Sequence, residues 1–290
     1  MNQSKLSRII SGVMSWGKWG KNLSNTEMAK LIELNLEIGI NSFDHADIYG
    51  GYTTENEFGK ALKLSGVERD EIKLISKCGI QYPCELKSFE VKHYDYSAKH
   101  IRFSVENSLR NLQTDYLDIF LLHRPSPLMN TNEIGDVILN LKNEGKIKKF
   151  GVSNFNNSQI KLLKKNIDIE FNQIQYSLSN NQCFTDGIID FCQTKNISVM
   201  AWSPLGHYFK ENNEATIRIK PVIERLSDKY SCSVDQILLS WVIKHPAKIN
   251  PVIGTTKKER ILNSVKAINI DLDIEDWFLL LEASLGKRVA

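Results

Sequence analysis

Short apolar runs alternate along the chain with segments in which apolar residues recur every three or four positions. Short continuous runs are typical of buried strands, and the longer recurrence is typical of amphipathic helices. The predicted strands are residues 11–16, 41–46, 72–77, 116–123, 148–153, 171–175, 198–202 and 250–253. The predicted helices are residues 26–38, 54–64, 97–112, 131–144, 158–165, 186–195, 221–229 and 233–244, and residues 259–285 are mostly helical.

This alternation predicts a parallel sheet covered by helices, because near-continuous apolar strands are buried on both faces. Eight strand–helix units suit a closed (β/α)8 TIM barrel. An additional run at residues 6–10 predicts an N-terminal β-hairpin or plug strand with residues 11–16, and the end of the chain predicts extra C-terminal helices. A doubly wound open sheet is the rival, but no G-x-G-x-x-G or P-loop motif follows a strand. No linker divides the chain, so residues 1–290 are predicted to form one domain.

Composition narrows the class of protein. The chain is 42% apolar and 24% charged, with a formal net charge of +3, which is too mild to indicate nucleic acid binding. The N-terminal segment lacks the apolar core of a signal peptide, and no apolar run is long enough for a membrane span. The five cysteines are odd in number and lack zinc-site spacing, so we expect free thiols and a cytoplasmic protein.

Ionisable side chains fall at three successive strand ends. Asp44 ends the second strand and Tyr49 lies in its loop, Lys77 ends the third strand, and His123 ends the fourth. Each alone has a structural explanation: a solvated lysine, a core histidine, a loop-capping aspartate, a packed tyrosine. Because the carboxyl ends of barrel strands meet at one face, where active sites lie, together they predict a catalytic site.

The later strand ends are polar but uncharged. They carry Ser153 and Asn154, then Gln175, then Trp202 and Ser203. The last strand runs into Gly254, Thr255 and Thr256 and then a basic segment with Arg260, which is typical of the anion sites after the last barrel strands.

With these residues, the chain resembles the aldo-keto reductase family over essentially its whole length. The resemblance rests on an ordered set of motifs: FDHADIYG, LISKC, FLLHRP, GVSNF, FNQIQY, MAWSPLG and IGTTKKERI. It is most similar to a bacterial branch of oxidoreductases with the run DHADIYGGY. The resemblance implies a (β/α)8 barrel, NADPH as cofactor and reduction of a carbonyl. The family's catalytic tetrad corresponds to Asp44, Tyr49, Lys77 and His123.

The resemblance also implies cofactor contacts. Ser153, Asn154 and Gln175 would fix the nicotinamide carboxamide, and Trp202 would stack on its ring where the family usually has tyrosine. Ser203 and Leu205 begin the loop that would reach the pyrophosphate. Gly254, Thr255, Thr256 and Arg260 would hold the 2′-phosphate end, with preference for NADPH over NADH. Gly254 and Ser264 depart from the family, which often has lysine and asparagine there. Trp16 would be the aromatic residue at the substrate mouth.

The chemistry of the tetrad follows from proton transfer. Hydride transfer to a carbonyl carbon leaves charge on oxygen, which needs a proton donor. A free tyrosine has a pKa near 10, so we hypothesise that Lys77 lowers the pKa of Tyr49 while Asp44 holds Lys77 charged. His123 would donate a hydrogen bond to the substrate oxygen. The loop of residues 79–97 is expected to overhang this site.

Two other classes of function remain open at this point. An NADPH-binding regulatory or redox-sensor subunit with little turnover would keep the same cofactor residues. A barrel enzyme that uses metal or phosphate chemistry would need a cluster of ligands that the sequence does not show. The expected partner is a small-molecule carbonyl substrate, with no nucleic acid or membrane, and the family default is a monomer.

Overall fold

Eight strands form a closed parallel barrel in the computed structural model, which describes residues 5–290. Around the barrel each strand pairs with its neighbours in the order β1, β2, β3, β6, β7, β8, β9, β10 and back to β1. These strands are β1 (Ile10–Gly12), β2 (Ser42–Asp44), β3 (Lys73–Cys78), β6 (Leu117–Leu122), β7 (Ile147–Ser153), β8 (Phe171–Gln175), β9 (Ser198–Trp202) and β10 (Asn250–Ile253). The predicted barrel is confirmed.

Helices cover the outside of the barrel between the strands. They are α1 (Asn25–Glu37), α2 (Tyr49–Tyr52), α3 (Thr54–Ser65), α4 (Ala98–Leu112), α5 (Thr131–Asn143), α6 (Asn157–Leu163), α7 (Ile188–Thr194), α8 (Glu214–Lys229), α9 (Val234–Ile243), α10 (Lys258–Lys266) and α11 (Ile274–Leu285). The last two confirm the predicted C-terminal helices. Within residues 5–290, no helix is long and apolar enough to cross a membrane.

The barrel interior is apolar at its base and polar at the carboxyl ends of its strands. The inward-facing apolar cluster consists of Ile10, Ile75, Ile119, Leu121, Phe171, Met200 and Val252. Side chains alternate along a strand, so the next inward position after Ile75 is Lys77, and the next after Phe171 is Gln173. On these strands an inward-facing apolar side chain at the base is therefore followed by an inward-facing polar side chain at the mouth of the barrel.

The predicted N-terminal hairpin is wrong. Residues 5–9 form no strand, and β1 pairs in parallel with both β2 and β10 as a member of the barrel. Ile10 belongs to the inner apolar cluster, and the half-buried Leu6 packs against that cluster. Because β1 pairs with a barrel strand on each side, it has no free edge on which the residues before it could form a hairpin.

Two helix starts differ from the prediction because a capping residue lies further upstream. Ser24 caps α1, which begins at Asn25 and not at the predicted residue 26, and forms a capping box with Glu27. Asn213 caps α8, whose start at Glu214 places Pro221 in the helix interior instead of at its first position. The side-chain cap therefore decided both boundaries.

The segment predicted as a loop over residues 79–97 contains a short antiparallel pair. It consists of β4 (Ile80–Gln81) and β5 (His93–Tyr94). The turn that carries Tyr49 holds this pair, because the Tyr52 hydroxyl accepts a hydrogen bond from the Tyr82 backbone N–H at 2.9 Å.

Candidate active site

Four ionisable side chains meet at the carboxyl ends of β2, β3 and β6. The Lys77 ammonium lies 2.7 Å from Asp44 Oδ2 and 3.0 Å from the Tyr49 hydroxyl. The rings of Tyr49 and His123 are 6.0 Å apart, edge to face. The structure thus brings together all four residues of the predicted tetrad, and Tyr49 and His123 are each 8% exposed whereas Lys77 is fully buried.

A tight turn presents Tyr49 to the mouth of the barrel. Gly50 and Gly51 have φ values of 64° and 69°, in the left-handed region that glycine enters without steric cost. A Cβ on Gly50 would lie 2.4 Å from Thr54 Oγ1, so a larger residue would displace the start of α3. Tyr52 also adopts a φ of 73°, which is costly for a bulky residue. The backbone of this turn is therefore built to place the phenol.

The Asp44–Lys77 pair is fully enclosed and fully hydrogen-bonded. Lys77 has 0% relative exposure, and its third hydrogen bond goes to the His45 carbonyl at 2.7 Å. Asp44 accepts its second hydrogen bond at Oδ1 from the Gln173 amide at 2.8 Å. Burial lowers the pKa of Lys77, but Asp44 and Tyr49 together raise it by more, so the net direction is upward. Lys77 therefore stays charged.

The pKa of Tyr49 is raised, which contradicts the hypothesis that Lys77 brings it below its ordinary value. Burial raises the pKa most, Lys77 lowers it, and the Asp44 carboxylate raises it again. The expected effect of the ammonium is present but is outweighed by the loss of solvent around the phenol. Tyr49 is consequently protonated throughout the neutral pH range.

His123 is neutral for a related reason. Burial lowers its pKa well below the ordinary value, and the positive charges of Lys77, Arg124 and Lys92 lower it further. A neutral imidazole keeps one N–H donor and one acceptor nitrogen. His123 is therefore able to donate a hydrogen bond without carrying a charge.

A chain of hydrogen bonds connects the predicted carboxamide residues with each other. Trp202 Nε1 donates to Asn154 Oδ1 at 2.9 Å, Asn154 Nδ2 donates to Ser153 Oγ at 2.8 Å, and Ser153 donates to the Gln173 carbonyl at 2.9 Å. A primary amide has two N–H donors and two acceptor lone pairs, so Asn154 still has one of each available for a ligand amide. These residues fit a nicotinamide carboxamide.

The third predicted carboxamide residue, Gln175, and the two predicted pyrophosphate-loop residues are exposed or half-buried. Gln175 is half-buried at the end of β8, and within residues 5–290 its side chain has no hydrogen-bond partner. Ser203 is exposed with a φ of 50°, and its carbonyl accepts a hydrogen bond from Gly206 N–H, which closes a turn. Leu205 is half-buried and packs on the helical layer, so it supports this turn from below.

The segment from Gly254 to Arg260 leads from β10 into the first turn of α10. Thr255 Oγ1 accepts a hydrogen bond from the Lys257 N–H, while Thr256 is half-buried and Arg260 is exposed. A Cβ on Gly254 would meet nothing within 4 Å, so the departure from lysine at this position is not required by space. The segment offers hydroxyls, a helix N-terminus and a guanidinium, a donor set that fits a phosphate.

Trp16 does not lie at the substrate mouth. It has 0% relative exposure and packs against Phe43 and Phe58, because β1 ends at Gly12 and the turn that follows folds Trp16 back into the core. Trp19, three residues later, is 38% exposed and its ring lies 6.2 Å from that of Tyr49. Tyr82 from the segment after β3 packs on the edge of Trp19 at 5.3 Å. The aromatic wall of the mouth is thus Trp19 and Tyr82.

Sequence reasoning missed Trp19, Gln173 and Arg124, whereas Tyr82 belongs to the segment of residues 79–97 that was expected to overhang the site. Gln173 stands two residues before Gln175 on the same strand face, and that spacing was the signal for it. Arg124 directly follows His123, and its guanidinium carbon lies 5.3 Å from the Trp202 ring centroid. Within residues 5–290 no group of three or more His, Cys, Asp or Glu side chains is arranged to hold a metal ion.

Comparison with known proteins agrees with this geometry. Residues 8–284 match the Aldo/keto reductase family. The chain is 40% identical over 291 residues to the uncharacterized oxidoreductase YcsN of Bacillus subtilis, covering 98% of this chain and 96% of that protein. It is 39% identical over 291 residues to a 6-dehydroglucose reductase of Agrobacterium fabrum, covering 99% and 97%. A solved aldo/keto reductase from Klebsiella pneumoniae in complex with NADP and acetate superposes with a TM-score of 0.78 at 26% identity, covering 95% and 90%.

Proposed function

Because the chain belongs to the aldo/keto reductase family, which is a family of NADPH-dependent oxidoreductases that reduce carbonyl groups, we propose that Asp44, Tyr49, Lys77 and His123 perform that reaction here. The observation that carries this proposal is the contact of a protonated, buried phenol with a buried ammonium at 3.0 Å. NADPH, when bound, supplies the hydride.

Tyr49 is the general acid. As the carbonyl carbon is reduced, negative charge grows on its oxygen, and the phenol gives that oxygen its proton. The phenolate that remains is adjacent to the fully buried Lys77 ammonium, which stabilises it electrostatically. The raised pKa of Tyr49 ensures that the proton is present before the reaction.

Asp44 and His123 support that step from two sides. Asp44, held by the Gln173 amide, fixes the position of Lys77 and compensates its charge. His123, kept neutral by burial, donates a hydrogen bond to the carbonyl oxygen and orients it toward the phenol. Each residue thus has one role that its environment explains.

The residues proposed to bind the cofactor lie at the carboxyl ends of the later strands and in the loops that follow them. Ser153, Asn154 and Gln175 would hold the carboxamide and Trp202 the nicotinamide ring, and the Trp202 N–H holds Asn154 in place. Ser203 and Leu205 line the approach of the pyrophosphate. Gly254, Thr255, Thr256 and Arg260 bind the 2′-phosphate end, since hydroxyls, a helix start and a guanidinium suit a phosphate.

The variant Tyr49→Phe tests the assignment of the acid. We expect NADPH binding, followed by quenching of protein fluorescence, to persist while kcat for aldehyde reduction falls by about 10²- to 10⁴-fold. Tyr116→Phe is the matched control, since it removes the same oxygen atom at the opposite end of β6. Retention of wild-type turnover by Tyr49→Phe would remove Tyr49 from this role.

The variant Arg260→Ala tests the phosphate clasp. Because the guanidinium is exposed, we expect the Kd for NADPH to rise by about tenfold, as for loss of a charge-assisted hydrogen bond, with the Kd for NADH unchanged. Lys266→Ala, at the other end of α10, controls for the loss of one positive charge. Equal affinities for both cofactors before and after the change would exclude the clasp.

A hydroxylated aldehyde is the first substrate to test. A relative of this chain is named as a 6-dehydroglucose reductase, and the Trp19–Tyr82 wall offers aromatic faces of the kind on which sugar C–H groups pack. Turnover of 6-dehydroglucose with NADPH would support a hydroxylated aldehyde as a substrate of this protein. Turnover of simple aldehydes alone would show that this substrate belongs to the relative and not to this protein.

The regulatory alternative gains no support, because the relatives above carry the names of reductases and oxidoreductases. We further propose that residues 1–290 form one domain, that the protein is a monomer and that it is cytoplasmic. The family match over residues 8–284 supports the first proposal, and five free cysteines support the last. Sedimentation velocity would support a monomer with a mass near 33.2 kDa and exclude it with twice that value.

A further inference from the structure

Arg124 is a half-buried guanidinium at the mouth of the site, and no carboxylate within residues 5–290 pairs with it. It directly follows His123 and lies over the Trp202 ring, with Cζ 5.3 Å from the ring centroid. Arg69 and Arg102 pair with carboxylates at 2.7 Å, but Arg124 takes part in none of the ion pairs within residues 5–290. A half-buried charge without a partner is costly, which points to a partner that arrives with the substrate.

The backbone of Arg124 is fixed so that its side chain starts at the mouth. The buried hydroxyl of Tyr96 accepts a hydrogen bond from the Arg124 N–H at 3.1 Å and donates one to the Arg124 carbonyl. The Tyr96 ring packs over Gly79, where a Cβ would lie 2.0 Å from the ring. Residues that follow β3, β5 and β6 therefore pack and hydrogen-bond together around the backbone of Arg124.

The electrostatic environment of the site is positive on this side. Arg124 lowers the pKa of both Tyr49 and His123, and Lys92 adds to its effect on His123. Asp44 is the one carboxylate that acts on Tyr49, and Lys77 and Gln173 already occupy its oxygens. An anion that enters the mouth would meet no free carboxylate among the groups that act on Tyr49 and His123.

We propose that, among the carbonyl substrates it reduces, the site prefers those that carry a carboxylate, and that Arg124 binds this carboxylate. The inference rests on the proposed carbonyl reduction and names the class of substrate for the same site. The planar guanidinium pairs with a carboxylate through two parallel hydrogen bonds, and its partial burial beside Trp202 strengthens that pairing.

The test compares two aldehydes of equal carbon number, succinic semialdehyde and butanal, which differ by the terminal carboxylate. In the wild-type protein we expect kcat/KM to be higher for succinic semialdehyde. In Arg124→Gln the ratio of the two kcat/KM values should fall by about 10- to 100-fold, as for loss of a charge-assisted hydrogen bond. Arg124→Lys should give an intermediate ratio, because lysine keeps the charge but not the planar fork.

Arg110→Gln is the matched control. Arg110 lies near the C-terminal end of α4 and is exposed, so this variant makes the same chemical change away from the barrel mouth and should leave the ratio at its wild-type value. Raising the ionic strength should lower the ratio in the wild-type protein and in Arg110→Gln more than in Arg124→Gln.

Each of the following results would overturn the proposal. The wild-type protein could show no preference for the carboxylate, or Arg124→Gln could keep the wild-type ratio. Equal loss with both aldehydes, together with weaker NADPH binding, would assign Arg124 to the cofactor instead. If neutral aldehydes are reduced and succinic semialdehyde is not, the substrate class is wrong and the proposed function stands; absence of turnover with every carbonyl would instead remove the proposed function.

Discussion

At the scale of single residues, the site depends on a balance between burial and charge. The Lys77 ammonium alone would lower the pKa of Tyr49, but the environment that excludes water from both groups raises it by more. Tyr49 therefore remains protonated at neutral pH, and Lys77 assists by stabilising the phenolate that forms when the proton is transferred. The His45 carbonyl accepts a hydrogen bond from Lys77 and the Gln173 amide donates one to Asp44, so both charges of this ion pair have hydrogen-bond partners.

The pH dependence of kcat for reduction follows from the direction of these shifts. Reduction needs the proton on Tyr49 and is lost as the pH rises through its pKa, which lies above the ordinary value of 10.0. The pKa of His123 is lowered, so its neutral form also persists through the neutral range. We expect kcat to stay level from pH 6.5 to about 10 and to fall above that.

Steady-state rates at constant ionic strength would measure this profile, with circular dichroism at each pH to verify that the protein remains folded. An alkaline decline centred below pH 9 would instead favour the hypothesis that Lys77 lowers the pKa of Tyr49.

At the scale of elements, the C-terminal helices are tied to the barrel by a pair of tryptophans. The rings of Trp241 in α9 and Trp277 in α11 are parallel, with centroids 4.8 Å apart and planes within 6°. Each indole N–H donates to the backbone carbonyl of the other residue, at 3.1 and 3.0 Å. Phe184 and Tyr176 pack around this pair. The extra helices are thus anchored by stacking and by reciprocal hydrogen bonds.

Replacing Trp277 with alanine should loosen this anchor. We expect a loss of about 3 kcal/mol in the free energy of unfolding, because the change removes a large packed ring and one hydrogen bond. Urea unfolding followed by circular dichroism would measure it. Phe278→Ala is the control, since the neighbouring ring is exposed and its loss should cost less than about 1 kcal/mol. Equal effects of the two changes would contradict the anchor.

At the scale of the whole molecule, the barrel closes where the start of the chain meets its last strand. β1 pairs with β10, and the Arg8 guanidinium just before it donates to the carbonyls of Lys248, Ile249 and Ile243. From the other side, the Asn250 amide donates to the carbonyls of Ser7 and Arg8 at 3.1 Å. Contacts between segments about 240 residues apart thus complete the ring on which all the strand ends depend.

Arg8→Ala should therefore destabilise the protein far more than the loss of an exposed arginine. Three hydrogen bonds worth about 1 kcal/mol each would be removed, and the partly buried carbonyls of Ile243 and Ile249 would lose their partners. We expect a decrease of about 3 kcal/mol in the free energy of unfolding, measured by urea denaturation. Arg110→Ala, which loses one exposed hydrogen bond to Asn107, should change it by about 0.5 kcal/mol or less. A similar, small effect of Arg8→Ala would show that closure does not depend on this side chain.

Local pattern was sufficient to predict the barrel and the order of polar strand ends. Residues 171–175, 198–202 and 250–253 were predicted with the bounds that the strands have, because an apolar run followed by a polar residue is a local property. The meeting of Asp44, Tyr49, Lys77 and His123 followed from the rule that parallel strand ends share one face of a barrel.

Only the tertiary structure decided the features that depend on burial and on register across the barrel. The direction of the Tyr49 pKa shift requires the degree of burial, which no local pattern contains. Gln173 reaches Asp44 across 129 residues of sequence, a contact set by the closure of the ring. Trp16 is buried and Trp19 lies beside Tyr49 in its place, because β1 ends at Gly12 and not at residue 16 as predicted. Sequence periodicity reports which side of an element is apolar, whereas solvent access and pairing between distant strands arise only when the barrel is closed.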